Sequence, residues 1–243
     1  MVYSITPKIS LVCDRILFKY KQDKNVLGVM LFGSAARNKS DRYSDIDIYI
    51  LLKKKGVNSR VNFIENGFRV DIVLDSLDEA EAYLKEDRHN VRRNTSHMLA
   101  HGVIIYGRTQ ALRKIQKAAE ENLTLKTKYS QKEILMHKYS IDDFWGEIRR
   151  DFKNRDYVAF GLNSQLLLNN ILELFMKLKR SFFRQPNEMS IVLDQLDRNF
   201  GRMLKRFYAS EDLRAKKRVL AELVKYIYKK SNGALPEKWR IKN

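Results

Sequence analysis

The 243-residue chain has few residues able to crosslink it or break a helix. Its one cysteine cannot form an internal disulfide, and Cys13, set among Ile9, Leu11, Val12, Ile16 and Leu17, reads as a small core residue of an opening helix. No run of about 18 apolar residues occurs, so no membrane-spanning helix and no membrane partner are expected. The start, MVYSITPKIS, lacks a charged segment followed by an apolar one, so secretion is not expected and a cytoplasmic location is. Histidine is scarce too. His97 and His101 stand at i, i+4, but no cysteine or acid lies at ligand spacing to complete a zinc site.

Acidic residues are also few: 29 Asp and Glu face 47 Lys and Arg, a net charge of +18. The imbalance is uneven. Up to Arg108 the count is 18 basic against 13 acidic, a net of +5; beyond it the count is 29 against 16, a net of +13. Such a surface favours anionic partners such as nucleotide, RNA, DNA or an acidic membrane face, or serves solubility alone.

Against this background a few acids stand in conspicuous places. In LFGSAARNKSDRYSDIDIYILL, Asp45 and Asp47 are two apart at the start of an apolar run, so on a strand they point to the same side. Two carboxylates that close repel unless a cation lies between them, and charge inside an apolar strand is costly unless paired or metal-bound. Mg²⁺ suits the place, since it takes a few carboxylate oxygens and leaves room for phosphate oxygens. The preceding run Val29-Met30-Leu31-Phe32 reads as a buried strand ending at the Gly33-Ser34 turn, whose free backbone N–H groups suit a phosphate. A third acid, Asp71, is embedded in the β-branched segment Phe68-Arg69-Val70-Asp71-Ile72-Val73-Leu74. If that strand pairs beside the Asp45/Asp47 strand, Asp71 faces the same site.

Gly-Ser, a short variable stretch, Ser-Asp-Ile-Asp and a later lone Asp on a strand together resemble the polymerase-beta-like nucleotidyltransferase superfamily. The resemblance implies that Asp45 and Asp47 hold two Mg²⁺ ions and that Asp71 is a further metal ligand and the base that activates the acceptor. Gly33 and Ser34 would then hold the β- and γ-phosphates of an NTP, with ATP the expected donor, and Arg37 and Ser44 fall where the family often has polar phosphate-contacting residues.

The periodicities predict an opening helix over Ser10–Tyr20, a strand, turn and helix around 27–37, and the Asp45–Leu52 strand. Lys53-Lys54-Lys55 before Gly56 mark a hairpin or loop. Ser76 followed by Glu79 is a capping signal for a helix through Leu84, and Val103–Tyr106 is a last short strand. The expected fold class is α+β: a small mixed-sheet catalytic domain with flanking helices over 1–108, then an all-α helical bundle over 109–243. In the latter, helices are expected near Ala111–Asn122, Gln131–Phe152, Tyr157–Arg184, Met189–Tyr208 and Glu211–Ser231.

This arrangement resembles the antibiotic-modifying nucleotidyltransferases, the lincosamide and aminoglycoside enzymes, whose helical domain helps to wall the acceptor pocket, often across a dimer interface. By that resemblance a homodimer is left open, and Glu173, with Asn169 and Asn170 forming a polar stripe on an otherwise apolar helix, is a candidate acceptor contact, a solvent-facing stripe being the alternative. The +13 half would repel a polycationic aminoglycoside, so a neutral or anionic small-molecule acceptor suits the chain better. The expected activity is transfer of a nucleoside monophosphate to an acceptor hydroxyl with release of pyrophosphate. The alternatives are nucleic-acid or protein binding without turnover, through the basic helical part and aromatics such as Tyr226 and Tyr228, and adenylylation of RNA or of a protein partner.

Overall fold

The structure is a computed structural model that describes residues 7–38, 40, 41, 43–107 and 109–240. The chain divides into two compact units, Met1–Leu125 and Lys126–Asn243.

The first unit is built on a five-stranded mixed sheet. Its strands are β1 (Val26–Phe32), β2 (Ile46–Leu52), β3 (Arg60–Glu65), β4 (Phe68–Ser76) and β5 (Val103–Tyr106), in the spatial order β3-β4-β2-β1-β5. Only β2 and β4 run parallel; the other pairings are antiparallel. The side-chain period of two divides β2 cleanly. Ile46, Ile48, Ile50 and Leu52 pack with Val70, Ile72 and Leu74 against Val12, Cys13, Ile16 and Leu17 of helix α1 (Pro7–Tyr20). Tyr49 and Leu51 face the opposite way, into a second core with Met30, Ala80, Leu84, Leu99, Leu112 and Ile115. A strand covered on both faces reads as a continuous apolar run, as IYILL does.

Helices α3 (Leu77–Asp87), α4 (Asn94–Ala100) and α5 (Gln110–Thr124) cover that second face. Helix α3 starts where Ser76 accepts from the Glu79 N–H and the Glu79 carboxylate accepts from the Ser76 N–H, the reciprocal cap that the sequence signals. Its length exceeds the expectation by three residues. Helix α5 belongs to the first unit, because Leu112, Ile115 and Ala119 complete the second core, so the division between units falls after Leu125 and not at Arg108. Cys13 is buried, and burial first, then Asp14, pushes its thiol up to about 11.

The regular elements of the second unit among the described residues are all helices: α6 (Gln131–Asn154), α7 (Tyr157–Leu178), α8 (Pro186–Leu196), α9 (Arg198–Ala209) and α10 (Leu213–Lys230). Its core holds Ile141, Ile148, Phe160, Leu167, Ile171, Phe175, Phe200, Leu220 and Leu223, with the Phe175 and Phe200 rings stacked at 3.8 Å. The single helix expected over Met189–Tyr208 is two, broken at Asp197. There the Asp197 carboxylate accepts from the Phe200 N–H and, at 2.6 Å, from the Tyr226 hydroxyl, while Lys179 and Lys230 approach the same oxygen. The helix expected to run to Arg184 stops at Leu178, where Arg180 takes φ +51° and the Ser181 N–H returns to the Met176 carbonyl. No helix among the described residues is long and apolar enough to cross a membrane.

Candidate active site

The site lies in the first unit, where β1 gives way to a turn and the chain returns along β2. Phe32, the last residue of β1, is the register partner of Asp47 on β2, and Asp47 is in turn the partner of Asp71 on β4. Adjacent strands therefore set these two acids side by side on one sheet face, and Asp45 stands two residues earlier, just before β2 begins. Burial first, then the neighbouring charges of Asp71 and Asp45, pushes the Asp47 carboxyl up to about 6, with Arg60 acting in the opposite direction. Three anionic groups thus share one locality.

Gly33 is fixed by this crowding. It takes φ +68°, and a Cβ at this position would run into the Asp47 carboxylate, with the carboxyl carbon only 2.9 Å away. No other residue leaves the backbone free to press so close. Gly33 and Ser34 open a one-turn helix, α2 (Gly33–Ala36), whose Ala35 and Ala36 are buried against the α1 side of the sheet. Arg37 follows, and its Nε donates to the Gly33 carbonyl at 3.2 Å, tying the end of the turn to its start.

Ser44 is engaged in shaping the loop before β2. Its hydroxyl donates to the Asp41 carboxylate at 3.0 Å and accepts from the Asp41 N–H at 2.9 Å, and its own N–H donates to the Asp41 carbonyl. These bonds set the entry angle of Asp45. Glu173 belongs to the second unit: it is half-buried on α7, near enough to act on His137, whose Nδ1 lies 3.3 Å from the Asn170 amide oxygen.

One residue of the site carries no signal in the sequence. Arg60, at the start of edge strand β3, grips Asp71 at both oxygens: Nε donates to Oδ1 at 2.8 Å and Nη2 to Oδ2. Its guanidinium is largely exposed while the Asp71 carboxylate is buried. Knowing that β3 exists and pairs with β4 is what would have located it. Among the described residues no three acidic, histidine or cysteine side chains gather in a geometry that holds a metal ion. The donor set itself fits a hard cation, being three carboxylates of which one, Asp47, is pushed up by burial first and then by the charges of the other two. Arg60 occupies both oxygens of the third, Asp71.

The comparisons with known proteins bear on the fold and family of this unit. Residues 15–111 match the family model described as polymerase beta, nucleotidyltransferase, a span that contains all three acids, Gly33 and Arg60. Among solved structures, a nucleotidyltransferase-like protein from Exiguobacterium sibiricum shares the fold with a TM-score of 0.54, at 13% identity over 92% of this chain and 77% of that one. No curated protein matches the sequence significantly. Over residues 15–111 the first unit of this chain is thus similar to the polymerase-beta nucleotidyltransferases, in sequence pattern and in fold.

Proposed function

We propose that the chain transfers a nucleoside monophosphate from an NTP, with ATP the expected donor, to a hydroxyl of a neutral or anionic small-molecule acceptor. The acceptor oxygen bonds to the α-phosphorus, the bond to pyrophosphate breaks, and the hydroxyl proton passes to Asp71. The observation that carries this reading is the register Phe32–Asp47–Asp71, which lines up the turn at Gly33 and two acids across three strands. Divalent magnesium, when bound at Asp45, Asp47 and Asp71, supplies positive charge to the triphosphate and acidity to the attacking hydroxyl. Gly33 and Ser34 offer backbone N–H groups to the β- and γ-phosphates, and Arg37 and Ser44 border them. Arg60 must leave Asp71 before that carboxylate can take a proton, and its exposed guanidinium has solvent to move into.

The test incubates the purified protein with Mg²⁺ and each α-labelled NTP, in the presence of small-molecule, RNA and protein acceptor fractions. Label should pass to an acceptor as pyrophosphate appears. Asp45→Asn or Asp47→Asn should lower transfer by about 10²-fold or more, as loss of transition-state charge stabilisation does elsewhere. Substantial activity in either variant would remove the metal assignment.

A further inference from the structure

The positive charge of the second unit is concentrated. Residues 126–197 hold twelve Lys and Arg against ten Asp and Glu, a net of +2, whereas residues 198–230 hold eleven against three, a net of +8. Solubility asks only for charge spread over exposed faces, and does not ask for it to gather on two neighbouring helices. Those helices are α9 and α10, which pack against each other.

Helical spacing arranges the cations further. On α10, Arg214, Arg218, Lys225 and Lys229 are all exposed and fall on one stripe, opposite the buried Val219, Leu220, Leu223, Val224 and Ile227. The stripe is about 22 Å long at 1.5 Å per residue. On α9, Arg198 and Arg202 are exposed one turn apart. Among the described residues none of these six is in an ion pair. Of the three acids in this region, Glu222 is bound by Arg206, which joins the flanks of the two helices. Asp212 caps the N-terminus of α10, accepting from the Arg214 and Ala215 N–H groups, and its charge also acts on Arg218 and Arg214 without a contact ion pair. Glu211 alone is left over.

We propose that the α9–α10 face is a binding surface for single-stranded RNA. A row of cations four to seven residues apart along one helix face can meet successive phosphates of a chain. A flexible single strand can follow the whole stripe, whereas a straight helix meets a stiff duplex only where it crosses the backbone. A bilayer is a poor match, because membrane-surface helices need apolar side chains beside their cations and those of α10 point inward. Asn199, exposed between Arg198 and Arg202, adds a neutral amide able to bond the ribose 2′-hydroxyl that DNA lacks. This inference is independent of the transfer reading.

The experiment is fluorescence anisotropy with a labelled 20-nucleotide RNA over a range of KCl, using the full chain. Two variants each lose four positive charges. One carries Arg214→Gln, Arg218→Gln, Lys225→Gln and Lys229→Gln; the other carries Lys128→Gln, Lys132→Gln, Arg149→Gln and Lys153→Gln on and before α6. All eight side chains are exposed, so circular dichroism should match wild type for both. The first variant should bind about tenfold or more weakly at 100 mM KCl and lose about 3 from the log–log salt slope, and the second should change Kd less than about threefold. Wild type should prefer this RNA to the same sequence as single-stranded DNA, to duplex RNA and to phosphatidylserine vesicles. Absence of RNA binding, equal losses in the two variants, or tighter binding of any of the other three ligands would overturn the proposal.

Discussion

Arg60 and Asp71 sit on neighbouring strands, and the arginine occupies both oxygens of the acid. A guanidinium in this two-point grip takes up the carboxylate lone pairs that a metal ion would use. The pair therefore competes with metal at the third acid of the site. Arg60→Gln should raise Mn²⁺ affinity in the absence of nucleotide by about tenfold, the equivalent of 1.4 kcal/mol, read as loss of the free-ion signal by electron paramagnetic resonance. An unchanged affinity would mean that the arginine does not guard the site. Asp47→Asn in the same titration shows whether the bound ion is at this site at all.

Asp47 makes the metal-free domain less stable than it would otherwise be. Its carboxyl is raised to about 6 from an ordinary value near 3.8, so between those pH values the folded state holds more proton than the unfolded one. Stability then falls as pH rises through the window from about 4 to 6, and is lowest above it. Asp47→Asn removes the half-buried charge with little change of shape. At pH 7.5 without metal it should stabilise the protein by about 1 kcal/mol, after allowance for solvent screening of a half-exposed group, or about 2–4 °C in Tm. A lower Tm by calorimetry would contradict the charge crowding. The same carboxyl predicts that Mn²⁺ affinity drops as pH falls below about 6, since metal must then displace a proton.

Gly33→Ala tests the close approach between turn and acid. The added methyl meets the Asp47 carboxylate on a backbone already at positive φ. A cost of about 1–3 kcal/mol in urea denaturation is expected, with transfer reduced by about 10²-fold because Asp47 is displaced. Retained activity at wild-type stability would show that the contact is slack.

Much of the first unit was legible in the chain because its signals are local. The Ser76–Glu79 cap, the apolar run from Ile46 to Leu52 and the two acid-bearing strands each declare themselves within a few residues. What stayed hidden depends on partners distant in sequence. Strand β3 is an exposed edge whose sequence RVNFIE commits only Val61 to a core, so no period of two emerges, and Arg60 acquires meaning only from its pairing with β4. The break at Asp197 lacks a glycine or proline to announce it. It is held by Tyr226, Lys179 and Lys230, which come from α10 and from the residue just past α7. Helix α5 looked like the first of the helical part because its apolar face alone does not say which core receives it.

The most direct measurement is a crystal structure with Mg²⁺ and a non-hydrolysable ATP analogue. We expect the triphosphate against Gly33 and Ser34, metal at about 2.0–2.1 Å from oxygens of Asp45 and Asp47, and Asp71 released from Arg60 to face the same ion. A triphosphate bound away from Gly33, or an Asp71 still gripped by Arg60 with no ion beside Asp47, would contradict the account.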